Sequence, residues 1–179
     1  VNDVPDTRDA ETVRVIAQQY AWNIHYPGPD GRFGATRIDL VDEQDNPIGL
    51  DRSSEFAEDD FTTINQLHIP VNRKIRVDLS SKDVIHNFKL PELRVSQDAI
   101  PGMVIPVHFT ATSTSEEFLK TTVGTKREGK GLEIACAQLC GLGHYRMKGY
   151  VTIHEEDDYQ AWLDAVSYTH LTLPTKVTV

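Results

Sequence analysis

Cysteine is scarce in this sequence. Two cysteines among 179 residues cannot staple a fold of this size, so the disulfide-rich class is excluded and the pair must serve a local purpose. Long apolar runs are missing as well: none reaches the roughly 18 residues that a membrane-spanning helix requires. Cations are outnumbered, 18 Lys and Arg against 27 Asp and Glu, a formal net charge of -9. That balance argues against nucleic acid as a partner and in favour of a basic protein. The chain also lacks an initiating methionine and a secretory leader. It therefore reads as a mature domain or a fragment, with anything upstream of Val1 out of sight.

What is present suffices for one core: 39% of the residues are apolar in a chain of ordinary domain length. Residues 1–10 are polar and expected to be loose. From Glu11 the pattern alternates, with Val13, Val15 and Ala17 on one side, and reads as a strand leading into "QQYAWNIHYPGPDG". Pro27 to Gly31 is a turn signal. Between Asp39 and Asp60 stand nine acids and one base, Arg52. Such a segment is either a solvated acidic loop or a docking surface for a cation-rich partner. Beyond Asn65 the period-2 runs Leu67, Ile69, Val71 and Ile75, Val77, Leu79 are followed by further short β-rich pieces. Only Asp157–Val166 reads as a helix, with acids in its first turn and Tyr159, Trp162, Leu163 and Val166 on one face. The expected class is all-β, a sandwich or Greek-key barrel with a short C-terminal helix. The last thirteen residues, "SYTHLTLPTKVTV", resemble translated sequencing-adapter read-through, so 167–179 is set aside as a non-native tail.

Both cysteines fall in "CAQLCGLGHYRM", Cys136 to Met147, with His144 and Met147 close behind. A disulfide across so short a loop would stabilise little and leave His144 and Met147 unexplained. Structural zinc prefers four Cys or His ligands, often as C-x2-C pairs, and rarely takes a thioether. Thiolate, imidazole and a weak axial thioether together are the donor set of copper electron-transfer sites. Two thiolates make sense if both sulfurs bridge a copper pair, each metal then needing one imidazole and one weak donor. The loop offers His144 and Met147. His86, in the β-rich segment upstream, is the best candidate for the second imidazole, and a backbone carbonyl at Gln138 for the second weak donor. Gly141 and Gly143 let the loop wrap closely. His25, His68, His108, His154 and His170 read as ordinary packed histidines.

C-x3-C-x3-H-x2-M, preceded by "DVIHNF" and "QDAIPG", resembles the CuA domain of subunit II of cytochrome c oxidases. "QQYAWNIHYPGPDG" is similar to the aromatic segment these subunits carry just after their membrane helices. The resemblance covers roughly Glu11 to Trp162, which places the domain at 11–166. It implies a cupredoxin-like fold and a binuclear copper centre. Cys136 and Cys140 would be bridging thiolates, His86 and His144 terminal imidazoles, Met147 the axial thioether and Gln138 a main-chain carbonyl donor. It further implies electrons arriving from cytochrome c or a similar basic donor and passing to haem in subunit I, where oxygen is reduced. N-terminal helices, which this chain lacks, would anchor the domain at the extracytoplasmic, periplasmic face.

Two positions depart from the family. Gln138 stands where a glutamate often helps hold magnesium or manganese against subunit I, and a neutral amide is a poorer ligand for a hard cation. Tyr20 stands where a tryptophan usually receives the electron, leaving Tyr20 and Trp22 as candidates for that role. The rivals are the CuA domain of nitrous oxide reductase and a zinc- or disulfide-stabilised binding module. A quinol-oxidase subunit II would have lost the copper ligands, and all are present here.

Overall fold

Among the described residues, the alternation written in the sequence becomes ten strands in two five-stranded sheets. The computed structural model describes residues 5–6 and 9–172. One sheet holds β1 (Glu11–Gln18), β2 (Ala21–Tyr26), β3 (Phe61–Ile64), β5 (Lys74–Ser81) and β8 (Ile105–Thr110), in the order β3-β2-β1-β5-β8. The other holds β4 (Gln66–Pro70), β6 (His86–Leu90), β7 (Val95–Ala99), β9 (Leu132–Cys136) and β10 (Lys148–His154), in the order β4-β10-β9-β6-β7. Pairing is antiparallel except β1 with β5 and β4 with β10. The expected cupredoxin-like sandwich is what the chain forms.

Side chains at every second position of β1 and β5 close the core. Val13, Val15, Ala17, Ile75, Val77 and Leu79 are fully buried, while Arg14, Arg76 and Asp78 point the other way. Leu67, Ile69, Phe88, Ile134, Val151 and Ile153 answer from the second sheet. Since a one-residue slip would turn each row toward water, this burial fixes the register.

Two α-helices stand among the described residues, one more than expected. The unexpected helix, α1 (Ser115–Thr122), has a capping box: Thr114 Oγ1 accepts from Glu117 N–H, and the Glu117 carboxylate accepts from Thr114 N–H. The box satisfies two orphan donors at the first turn, and its residues stand in the sequence as "TSEE". What hides the helix is its poor apolar face, from which Phe118 is the side chain that packs on the core. Helix α2 (Glu156–Thr172) contains the expected Asp157–Val166 and continues into the stretch set aside as a tail. Residues 173–179 lie outside the described residues, as does part of the segment 1–10. Tyr159, Leu163 and Val166 are buried, and Trp162 stacks on His68 at 4.2 Å between centroids.

The acidic segment is pinned rather than merely solvated. Ile48, Leu50 and Ala57 form a second small cluster against Ile16. Asp60 is fully buried and its carboxylate meets His25 Nε2 at 2.6 Å. Lys82 Nζ donates to Gln18 Oε1, Glu43 Oε1 and the Pro47 carbonyl, tying the loop to the ends of β1 and β5.

Three histidines make the fold acid-sensitive. Burial lowers His25, against the hydrogen bond to Asp60. Burial, then the neighbouring His154 ring at 2.8 Å between nitrogens, lowers His68 to about 4. Burial also lowers His154. A histidine whose folded pKa lies below its unfolded value near 6.5 lets the unfolded chain bind more protons in acid, so its contribution is present above that value and fades as pH falls toward 4. From His68 alone the metal-free chain should be about 2 kcal/mol less stable at pH 5 than at pH 7.5. Urea unfolding at the two pH values measures this, and in His68→Gln the difference should shrink by that amount.

Candidate metal centre

The first requirement for any site built from His86 and the cysteine loop is that two segments fifty residues apart be brought side by side. Strand pairing does this. β6 runs antiparallel to β9 with Phe88 opposite Cys136, and Ala137 N–H donates to the Asn87 carbonyl just past the end of the ladder. His86 thus opens β6 at the same edge where β9 delivers Cys136. The chain then loops through Gly141 and Gly143 and returns through a short 3-10 turn, His144–Arg146, into β10.

The donors gather there. His86 Nδ1 lies 3.9 Å from Cys136 Sγ, and His144 Nδ1 lies 3.5 Å from Cys140 Sγ. The two sulfurs are 3.8 Å apart, and Met147 Sδ lies 3.8 Å from Cys140 Sγ. A disulfide needs about 2.05 Å, so the thiols are unbridged. The Gln138 carbonyl oxygen faces Cys136 Sγ at 3.2 Å while its side chain stays exposed. His86, Cys140 and Met147 are buried, and Cys136 and His144 are half-buried. All five side chains and the one carbonyl expected from the sequence therefore converge.

The surroundings aim these donors. Asp83 Oδ1 sits 2.8 Å from His86 Nε2, which directs Nδ1 toward the sulfurs, the arrangement that fixes tautomer and ring in metal-binding histidines. The motif carries this signal, since Asp83 stands three residues before His86 in "DVIH", though by composition alone it reads as a surface acid. Trp22 packs edge-on against His86 at 6.2 Å between centroids and against Phe88 at 5.5 Å. It is fully buried, so of the two candidate aromatics only Tyr20 reaches the surface. Tyr20 lies against the loop: a Cβ on Gly143 would fall 2.5 Å from its ring. Arg146 stands over the same ring at 5.5 Å. Gln19, which no sequence motif singles out, donates from Nε2 to the Cys140 carbonyl at 2.6 Å.

Electrostatics separates the two thiols. Burial pushes Cys136 up, but hydrogen bonds from His86, the Asn87 and Gln138 backbone and His144 outweigh it and hold it down at about 6. Burial raises Cys140, and the charge on Cys136 raises it further, to about 11. His86 loses basicity to burial but gains more from Cys136 and Asp83, and ends above its usual value. In the metal-free nest the two thiols are thus driven apart, Cys136 toward thiolate and Cys140 toward thiol. A second thiolate 3.8 Å away requires a cation between them.

This donor set fits a soft metal bound through sulfur and imidazole. Residues 11–153 match the family described as "Cytochrome C oxidase subunit II, periplasmic domain". The chain belongs to that family. It is 36% identical over 157 residues to the alternative cytochrome c oxidase subunit 2 of Bradyrhizobium diazoefficiens, covering 87% of this chain and 51% of that one. It is 29% identical over 161 residues to cytochrome c oxidase subunit 2 of Cereibacter sphaeroides, covering 86% and 48%. The crystal structure of the periplasmic domain of subunit II of cytochrome oxidase from Bradyrhizobium japonicum superposes with a TM-score of 0.60 at 26% identity, covering 93% of this chain and 99% of that one. The chain spans about half the length of the curated relatives it matches. No helix among the described residues is long and apolar enough to cross a membrane.

The split between the thiols has a direct consequence for the subunit II domain without metal. Thiolate is the reactive form, so at pH 7.5 Cys136 should be alkylated by iodoacetamide at least about tenfold faster than Cys140. Its rate should level off above about pH 7, one unit past its pKa of about 6. Peptide mass spectrometry reads both rates, and faster labelling of Cys140 would contradict the assignment.

Proposed function

We propose that this domain holds a binuclear copper centre and passes single electrons from a basic donor protein, cytochrome c or one like it, to haem in subunit I, where oxygen is reduced. The observation that carries the reading is the convergence of two thiols, two imidazoles and a thioether from two segments of the chain. In this reading Cys136 and Cys140 would hold the copper pair through their thiolates, His86 and His144 through their imidazoles, Met147 through its weakly donating thioether and Gln138 through its main-chain carbonyl. When bound, a copper pair supplies one-electron redox chemistry with the charge spread over both metals and both sulfurs.

The protein contributes stiffness and dryness. β9 and β10 hold the loop at both ends, Asp83 and Trp22 hold the His86 ring, and burial of Cys140 and Met147 keeps water from those two sulfurs. Donors held this way relax little when the charge changes by one. Around the nest the surface is unusually apolar: Leu139, Leu142 and Tyr145 are 79%, 97% and 82% exposed. Exposed apolar side chains gathered at one end mark a contact surface. The acidic segment fastened to the same end through Lys82 adds the field that would draw in a basic donor. Tyr20, lying between loop and solvent, is the residue through which the electron would enter. The exposed, neutral side chain of Gln138 offers no carboxylate to a magnesium or manganese ion. In the same reading the domain works at the periplasmic face, anchored through helices upstream of Val1.

Loading the metal-free chain with copper should give a purple protein with two thiolate-to-copper bands and an electron-spin signal shared by two nuclei. A colourless protein holding one zinc would favour the binding module instead. Met147→Leu, close in volume, should keep the colour while shifting the reduction potential, because a weak axial donor tunes potential more than it decides assembly. Transfer from a basic cytochrome, followed by stopped flow, should slow as ionic strength rises through the range where the Debye length falls to about 10 Å. A flat or rising profile removes the steering role of the acids.

A further inference from the structure

The geometry points to Gln19 as a positioning residue that fastens the far half of the cysteine loop to the His86 arm. The inference rests on the copper reading and deepens it.

The two halves of the loop are held differently. Cys136 is fixed by the β6–β9 ladder and by the bond from Ala137 N–H to the Asn87 carbonyl. That ladder ends before Cys140. From there to Arg146 the backbone bonds to itself: His144 N–H to the Gly141 carbonyl and Arg146 N–H to the Gly143 carbonyl. Among the described residues, one non-sulfur hydrogen bond enters the stretch 138–146 from beyond the Cys136–Met147 loop, and it comes from Gln19 Nε2 to the Cys140 carbonyl at 2.6 Å.

The same residue reaches the other ligand segment. Gln19 backbone N–H donates to Asp83 Oδ2 at 2.7 Å, while Asp83 Oδ1 meets His86 Nε2 at 2.8 Å and accepts from Val84 N–H. A continuous path thus runs from the peptide of one cysteine ligand, through Gln19, to the carboxylate that orients a histidine ligand. The loop is shaped for this contact. A Cβ on Gly141 would stand 2.7 Å from Gln19 Nε2 and 2.7 Å from the Tyr20 hydroxyl, and its φ of +126° lies where side chains are disfavoured.

A bond to the carbonyl of Cys140 sets the direction of its Cα–Cβ vector, and so the place of its sulfur. Outer partners of this kind typically carry a factor of about 10 to 100 in metal affinity. Gln19 is itself exposed, so replacing it opens no cavity. Gln19→Glu keeps the shape but swaps the donor for an acceptor facing a carbonyl. Gln19→Met keeps the length and removes the polarity.

Two measurements decide. In the metal-free chain, hydrogen exchange of amides 138–146 should speed up about tenfold in both variants, with the β-strands unchanged. In the copper-loaded chain, loss of visible absorption into excess chelator should be about 10-fold faster, with altered copper hyperfine splitting. Exchange and release within twofold of the parent in both variants would overturn the role of Gln19. If instead the parent takes up no copper pair, the functional reading fails, while the exchange result still tells whether the clasp exists.

Discussion

The register between β6 and β9 is the constraint on which the rest depends. With Phe88 opposite Cys136, the first residue of β6 and the last of β9 finish at one edge of the second sheet. A slip of one residue would turn His86 away from the sulfurs and Phe88 out of the core together. Fold and site are therefore secured by the same apolar side chains. Phe88, buried behind the ligands and packed on Trp22, serves both.

Charge sets the second constraint. Two sulfurs 3.8 Å apart in a half-buried pocket cannot both ionise unaided, and the chain arranges its neighbours to make one of them do so. His86 is drawn toward the charged form by Cys136 on one side and Asp83 on the other. The result is a pair of sulfurs with one drawn toward thiolate and the other held back from it. The same economy places the apolar residues of the loop, Leu139, Leu142 and Tyr145, outward, since the inward positions belong to the donors.

Much of this is legible in the residues. Period-2 alternation marks the strands of both sheets, and the spacing of Cys136, Cys140, His144 and Met147 marks the donor loop. His86 is picked out by its β-rich segment and by the resemblance together, because no local pattern alone says which of seven histidines meets a loop fifty residues on. What escapes has physical reasons. α1 is missed by a search for helix periodicity because its signal lies in a cap. Asp83 stands in the motif, three residues before His86, yet reads as surface charge by composition, because such an offset in an irregular segment leaves the direction of the carboxylate open. Gln19 is invisible because its work is done by an amide and a backbone N–H across 121 and 64 residues of sequence. The acidic segment is judged by composition, and its small cluster of Ile48, Leu50 and Ala57 is outweighed by the acids around it.

The two parallel pairings bear on how the protein comes into being. β1 must wait for β5, and β4 must wait for β10, the last strand among the described residues. Long-range closures of this sort are slow, because loop entropy is lost before contacts reward it. Met147 immediately precedes β10, so the ligand nest is among the last parts to take shape during synthesis. A nascent chain would not bring Met147 beside Cys140 until nearly all of the described domain had left the ribosome, so the cluster of sulfurs and imidazoles follows the folding of the sheets rather than guiding it.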